Sequence, residues 1–372
     1  MLAGALLICA SLQSSIACTI FVLTDTNRTL FANNEDWSNP RTRVWFIPAI
    51  EKRFGAVYVG FDDGAQGGMN TEGLAWDWVA GFNDVWQPDP GLTNVWGNSS
   101  QQMLETCATV EEAIAFYRSH REMSFRRARI LVADRTGASV IIGAKDGKLL
   151  VETANQCRGF GYGNETLDKM LAKSAEPTVG NGFKILRACM QKGEYATKYS
   201  NVFDLKSGDI FLRPSSDGSG TREVKLNLAA ELKKGAHYYD MAQIREQLAQ
   251  APRPLPANLE RFRLAKYKPI PDKEPQVTEH VRAMFQNLID GTAHSTDYTA
   301  ELWKIESPQL GEAQKGLKPF GPLGAVTLVD RGEESGKRTY RYRIEFEKAT
   351  ILQSFVFDKQ NKLTASYTED IR

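Results

Sequence analysis

The sequence predicts an α+β fold in two modules. Short strands follow one another at hairpin spacing from residue 19 to residue 82. Helical patterns and further hairpins then alternate to about residue 250. A proline-rich stretch, 251–274, separates these from a second run in which one helix precedes several strands.

The elements read in order as follows. CTIFVLTDTNRTLFANNEDW, from residue 18, gives two β-rich runs about a turn at Asp25-Thr26-Asn27. VWFIPA (44–49), AVYVGF (56–61) and LAWDWVAGF (74–82) supply further strands, and 83–100, rich in Pro, Gly and Asn, reads as a long loop. A helix is predicted over 100–106. Thr109 and Glu112 form a capping box that opens another, with Val110, Ala113, Ile114 and Tyr117 on one face. Residues 129–143 form a hairpin turning at 134–137. Residues 166–192 are helical but divided at Pro177 and Gly180, 199–213 is a hairpin, and 226–248 is largely helical. The stretch 251–275 holds six of the 15 prolines and reads as a linker. Beyond it a helix (278–290) is followed by expected strands at ELWKI, AVTLVDR, RTYRYRIEF, ILQSFVFD and LTASYTED, an accessory α+β module spanning 275–372.

Composition excludes several classes. With 46 Lys+Arg against 45 Asp+Glu in 372 residues, no electrostatic footprint for nucleic acid or anionic membrane exists. The apolar run at 2–10 is too short to span a bilayer, which takes about 20 apolar residues. With Ser15 and Ala17 behind it, 1–17 reads instead as a secretory signal cut after Ala17, although no Lys or Arg precedes the run. A secreted or periplasmic protein without a membrane span is expected. Five cysteines and four scattered histidines give no zinc spacing, so no metal is expected, and one disulfide among Cys107, Cys157 and Cys189 is left open.

Cleavage after Ala17 makes Cys18 the first residue, with a thiol and a free α-amine on one side chain and backbone. That pairing is a nucleophile with its own base. The amine needs an acceptor to hold it. Asp36 ends the strand antiparallel to the one Cys18 begins, so both fall at one end of a hairpin. Glu35, its neighbour, is expected to point the other way. The developing oxyanion also needs donors from backbone or from an Asn or Gln amide. Asn70 and Gly73 fit a tight turn, while Asn27, Asn98 and Asn164 each open a glycosylation sequon.

Four pieces in order now carry a resemblance: Cys18-Thr19-x-Phe21; Asn33-Asn34-Glu35-Asp36; Gly68-Met69-Asn70-Thr71-Glu72-Gly73-Leu74; and Gly163-Asn164 followed by Thr197-x-Tyr199-Ser200-x-Val202-x-Asp204. Over about 18–250 the chain resembles the linear-amide C–N hydrolases of the N-terminal-nucleophile superfamily, to which choloylglycine (bile-salt) hydrolases and penicillin V acylases belong. The resemblance implies a four-layer αββα sandwich. It implies Cys18 as nucleophile, Asp36 orienting its amine and Asn164 donating to the oxyanion. The accessory module resembles the nuclear-transport-factor-like fold. The chain departs from the family's pattern in three places. Asn33 stands where the family has Arg, Ala80 falls near its second oxyanion residue with Asn83 close by, and no Arg matches around 181–183.

The expected activity is hydrolysis of a small acyl-amide through a thioester, with acyl transfer at the same site as a variant. A lipid-anchored binding protein acylated on Cys18 is the reading from a different class. Asn33, Trp76 and Asn83 are the expected substrate-pocket residues, with the nearby aromatics available for an apolar acyl group. No cofactor is implied, and whether the chain forms a homo-oligomer stays open.

Overall fold

The computed structural model describes residues 18–371, apart from 51–52, 63, 90, 95–97, 174–175, 216–222, 256–267 and 335. The expected signal therefore lies outside the described residues. Strands β1 (Thr19–Thr24), β2 (Thr29–Asp36), β3 (Thr42–Ile47), β4 (Ala56–Phe61), β5 (Gly64–Asn70) and β6 (Ala75–Ala80) come first, then a two-residue β7 (Thr93–Asn94). Helices α1 (Ser99–Thr106) and α2 (Val110–Ser119) follow, with β8 (His120–Arg121) pairing parallel to β7. Next are β9 (Ala128–Ala133), β10 (Ser139–Lys145), β11 (Lys148–Ala154), β12 (Arg158–Gly161), α3 (Asn164–Lys173) and α4 (Val179–Ala188). The first module closes with β13 (Thr197–Asp204), β14 (Asp209–Pro214), β15 (Val224–Asn227), α5 (Leu228–Leu232), β16 (His237–Asp240), α6 (Ile244–Gln247) and β17 (Arg253–Pro254).

Two antiparallel sheets result: six strands in the order β12-β1-β2-β13-β14-β15, and nine in the order β11-β10-β9-β6-β5-β4-β3-β16-β17. Their facing surfaces form one core of alternate residues, including Ile20, Val22 and Phe31 from one sheet and Val44, Val57 and Leu131 from the other. The outer face of the nine-stranded sheet packs Trp45, Tyr58 and Trp76 against Leu104, Val110, Ala113 and Tyr117 of α1 and α2. The outer face of the six-stranded sheet packs Phe21, Leu23 and Ala32 against Leu167, Phe183 and Leu186 of α3 and α4. The order helix, sheet, sheet, helix is the four-layer sandwich expected. It explains why residues 20–23 of β1 are apolar without alternation: both faces of the strand are buried, so the usual polar alternate is absent. Each such Phe or Leu contributes on the order of 2–3 kcal/mol on burial.

Local signals act as expected in several places. Asp25 Oδ1 accepts from the amides of Asn27 and Arg28 at 2.7 and 2.8 Å, fixing the β1–β2 turn. Thr109 Oγ1 accepts from the Glu112 amide at 3.2 Å to cap α2. Asn70 is structural: its Nδ2 donates to the carbonyls of Leu104 and Cys107, and its Oδ1 accepts from Glu72 and Leu74. None of the four described cysteines, Cys18, Cys107, Cys157 and Cys189, is paired with another in a disulfide.

Two differences from expectation precede the second module. Residues 226–248 are not largely helical, since His237–Asp240 is strand β16 of the nine-stranded sheet, next to last in its order and paired with β3. Its HYYD sequence follows Gly235, which ends the preceding turn at φ +87°. Part of the supposed linker, Arg253–Pro254, extends that sheet as β17.

Beyond the linker lie α7 (Pro275–Asp290), α8 (Ala300–Glu306), α9 (Leu310–Leu317) and strands β18 (Leu323–Glu334), β19 (Lys337–Phe346), β20 (Thr350–Phe357) and β21 (Leu363–Ile371). The strands form an antiparallel sheet in sequence order, with Val277, Val281, Met284 and Phe285 of α7 in a common core with Tyr342, Ile344, Phe346 and Phe355. ELWKI, expected as a strand, is the body of α8, because Thr299 caps it by accepting from the Leu302 amide. No helix among the described residues is long and apolar enough to cross a membrane.

Candidate active site

Cys18 stands at the head of β1, and its neighbours come from three adjacent strands. In register, Thr19 lies opposite Asn34 on β2 and Gly161 on β12, while Asp36 lies opposite Thr197 on β13. The Cys18 nitrogen donates to Asp36 Oδ2 at 3.0 Å. In the full-length chain that nitrogen is a peptide N–H; cleavage after Ala17 would turn it into the α-amine. Thr197 Oγ1 donates to the other oxygen, Asp36 Oδ1, at 2.5 Å, and itself accepts from the Gln191 amide at 3.0 Å. The hairpin register thus brings Cys18 and Asp36 together, as the sequence predicts.

Backbone geometry at this corner is unusual. Cys18 has φ +70°, a left-handed conformation costly for a residue with a Cβ. A chain that began at Cys18 would have no such dihedral, so cleavage there would remove the strain. Tyr162 N donates to the Cys18 carbonyl at 2.7 Å. That close approach needs Gly161, where a Cβ would fall 2.2 Å from the Cys18 carbonyl oxygen.

The Cys18 sulfur faces a different group. It lies in the layer between the sheets, 3.6 Å from Glu35 Oε1 and 3.9 Å from the Asp36 carbonyl oxygen. Alternation holds along β2, so Glu35 and Asp36 do point opposite ways; the residue at the end of β1 touches both, by sulfur and by nitrogen. Glu35 Oε2 accepts from Tyr199 Oη at 3.3 Å and from Asn33 Nδ2 at 3.4 Å. Asp77 enters the same layer from β6, between the core residues Ala75 and Val79, and its Oδ1 accepts from the Trp78 amide at 2.8 Å.

Burial governs the electrostatics. It raises the Glu35 carboxyl to about 8, with the Asp36 charge adding to the rise and the bonds from Asn33, Cys18 and Tyr199 opposing it. Burial also raises Asp36 to about 7, against the donors Thr197 and Cys18 and the charge of Lys198. Asp77 is pushed well up by burial and by Glu35. The Cys18 thiol is raised by burial first, then by Glu35, Asp36 and Asp77. An acidic environment around a nucleophilic thiol resists a thiolate, so the thiol's proton needs a nearby acceptor.

The remaining expected site residues fall elsewhere. Asn164 opens α3 two residues after Tyr162, exposed, with its Nδ2 donating to Asp168 Oδ2 at 3.0 Å rather than towards Cys18. Asn33 is fully buried between the sheets, and its Oδ1 has no partner among the described residues. Trp76 is a correction: it lies on the opposite face of β6 from Asp77, sealed against the helices, and lines no pocket at Cys18. Asn83 is exposed on the loop after β6. Phe82 packs on the edge of the intersheet core, 6.3 Å from the Phe160 ring and under the Arg129 guanidinium.

Sequence reasoning missed an apolar rim. Eight large apolar side chains are exposed among the described residues, and four of them lie within two residues in sequence of a residue that bonds Cys18, Asp36 or Thr197, or are themselves one. Trp37 follows Asp36, Tyr162 bonds the Cys18 carbonyl, Met190 precedes Gln191, and Tyr195 packs on Trp37 with ring centroids 5.9 Å apart. An aromatic directly after the Asn-Glu-Asp run was the available signal.

No family model matches the chain, and no curated protein matches it. Among solved structures it is similar to penicillin V acylase from Agrobacterium tumefaciens, at 15% identity over 60% of this chain and 91% of that one, with a TM-score of 0.48. It is also similar to a mutant conjugated bile acid hydrolase from Clostridium perfringens, at 15% identity over 60% and 96%, with a TM-score of 0.47.

Proposed function

We propose that the chain is a cysteine amidohydrolase whose nucleophile becomes N-terminal on cleavage after Ala17. One observation carries the reading: the Cys18 nitrogen is held 3.0 Å from Asp36 Oδ2 while the sulfur of the same residue lies free of any disulfide. Once that nitrogen is an amine, Asp36 orients it beside the thiol. Sulfur attacks the amide carbonyl, the amine product leaves, and water releases the acid from the thioester. Asn164, on leaving Asp168, is the proposed oxyanion donor. The acyl group is apolar, since Trp37, Tyr162, Met190 and Tyr195 offer uncovered apolar surface beside the reacting residue. Secretion follows from the same cleavage.

Lipid anchoring is disfavoured by the same geometry. An acylated nitrogen keeps an N–H for Asp36 but cannot serve as a base, and a thioether on Cys18, a residue only 6% exposed, would have to enter the intersheet layer. The test is N-terminal sequencing and intact mass of the protein as secreted, followed by turnover of a panel of N-acyl amides. A chain starting at unmodified Cys18, active as wild type and inactive as Cys18→Ser, is expected. A lipidated Cys18, or full activity in Cys18→Ser, overturns the proposal.

A further inference from the structure

Asp36 holds the Cys18 nitrogen well, and that creates a difficulty for it as the only base. An α-amine titrates at about 7.7–8.0, and a carboxylate 3.0 Å away favours its protonated form, which donates protons and does not accept them. The thiol's proton must go elsewhere. The group against the sulfur is Glu35, 3.6 Å away on the side opposite Asp36.

We propose, building on the Cys18 reading above, that Glu35 is a second catalytic proton carrier, which takes the Cys18 thiol's proton on attack and returns it when the thioester is cleaved. Proton transfer from sulfur to Glu35 moves a negative charge within the buried layer without creating a new one, so the thiolate forms without the full cost of burying another anion. The two proton circuits then separate. In acylation the S–H bond breaks, Glu35 gains O–H, the S–C bond forms, and the leaving nitrogen takes its proton from the α-ammonium as C–N breaks. In deacylation the neutral α-amine takes a proton from the attacking water, S–C breaks, and sulfur recovers its proton from Glu35. Every group ends as it began.

The surroundings of Glu35 are built for this. The titratable groups facing it are Cys18 from β1, Asp36 from its own strand, Asp77 from β6 of the opposite sheet and Tyr199 from β13. Asn33 and Tyr199 fix Oε2, which leaves Oε1 for sulfur. Asp77 is fully buried, and its Oδ2 has no hydrogen-bond partner among the described residues. Its carboxylate occupies space left by Gly67, where a Cβ would fall 2.1 Å from that oxygen. Asp77 is a positioning residue: burial and the Glu35 charge hold its carboxyl protonated, so it adds no second anion to the layer when Glu35 is ionised.

The test is the rate of Cys18 alkylation by iodoacetamide against pH, located by peptide mapping in the mature protein, alongside amide turnover. When a thiol shares a proton with a carboxylate, the thiolate fraction stops rising once the carboxylate is ionised. Wild type should therefore plateau above about pH 8. Glu35→Gln should keep rising through pH 9 and lose about 100-fold in turnover. Asp77→Asn, which keeps a neutral group of the same shape there, should leave the plateau at the wild-type pH. An unchanged alkylation profile in Glu35→Gln overturns the proposal whatever happens to turnover, and so does turnover within twofold of wild type. Activity surviving in Cys18→Ser would instead sink the nucleophile assignment on which both rest.

Discussion

Thr197 Oγ1 lies 2.5 Å from Asp36 Oδ1, so one hydroxyl from β13 determines which carboxylate oxygen remains for Cys18. The contact is buried, and the bulge between Thr197 and Tyr199 is what aims the hydroxyl at the end of β2. Thr197→Val should leave Oδ1 unsatisfied and let the carboxylate turn. A hydrogen bond to a charged group is worth about 1.5–3 kcal/mol, so kcat/KM should fall roughly 10- to 150-fold. Thr197→Ser should restore most of it. Steady-state kinetics of the two variants decide the matter, and equal losses in both would mean the hydroxyl is irrelevant.

Asn164 must break its bond to Asp168 before it can serve an oxyanion. That bond is exposed and cheap to break, on the order of 1 kcal/mol or less. Asn164→Ala should lower kcat about 100-fold or more while leaving the melting temperature unchanged. Asp168→Ala, which frees the amide, should retain full activity. A fully active Asn164→Ala would return the residue to a purely local role at the start of α3.

Trp37 and Tyr195 pack on each other beside Asp36 yet remain 45% and 38% exposed. An acyl group covering them would bury apolar area at about 25 cal/mol per Å². Trp37→Ala should raise KM for long or aromatic acyl amides about tenfold, with less effect on acetyl amides and little on kcat. A KM change independent of acyl length would remove the rim from substrate binding.

How much of this site the sequence discloses depends on which face each residue takes. Cys18 and Asp36 are legible because antiparallel pairing about the Asp25 turn fixes their register from spacing alone. Glu35 is hidden by the same rule. Alternation assigns it to the other face, and nothing in the sequence says that the sulfur and nitrogen of Cys18 look to different faces. Trp76 misleads because two tryptophans about Asp77 look like the inward set, whereas the intersheet layer takes Ala75, Asp77 and Val79. Both faces of β6 are covered, so hydrophobicity cannot choose between them. The ELWKI segment fails for a shorter reason: five residues fit strand or helix equally, and the Thr299 cap decides.

Glu35 also links the site to stability. Its carboxyl is raised from 4.5 to about 8 in the folded protein by burial and by the Asp36 charge. A raised carboxyl binds its proton more tightly when folded than when unfolded. Its contribution is therefore complete below about pH 4.5 and is lost as pH rises through about 8. Wild-type melting temperature should fall across that window. Glu35→Gln carries no charge to bury, so its melting temperature should match or lie below wild type at pH 5 and exceed it at pH 8. A shallower slope should remain in the variant, because Asp36 and Asp77 are raised in the same direction. Calorimetric scans of both proteins from pH 4.5 to 8.5 provide the check. Parallel curves would mean that Glu35 titrates as an ordinary carboxyl, and the proton circuit assigned to it would lose its physical basis.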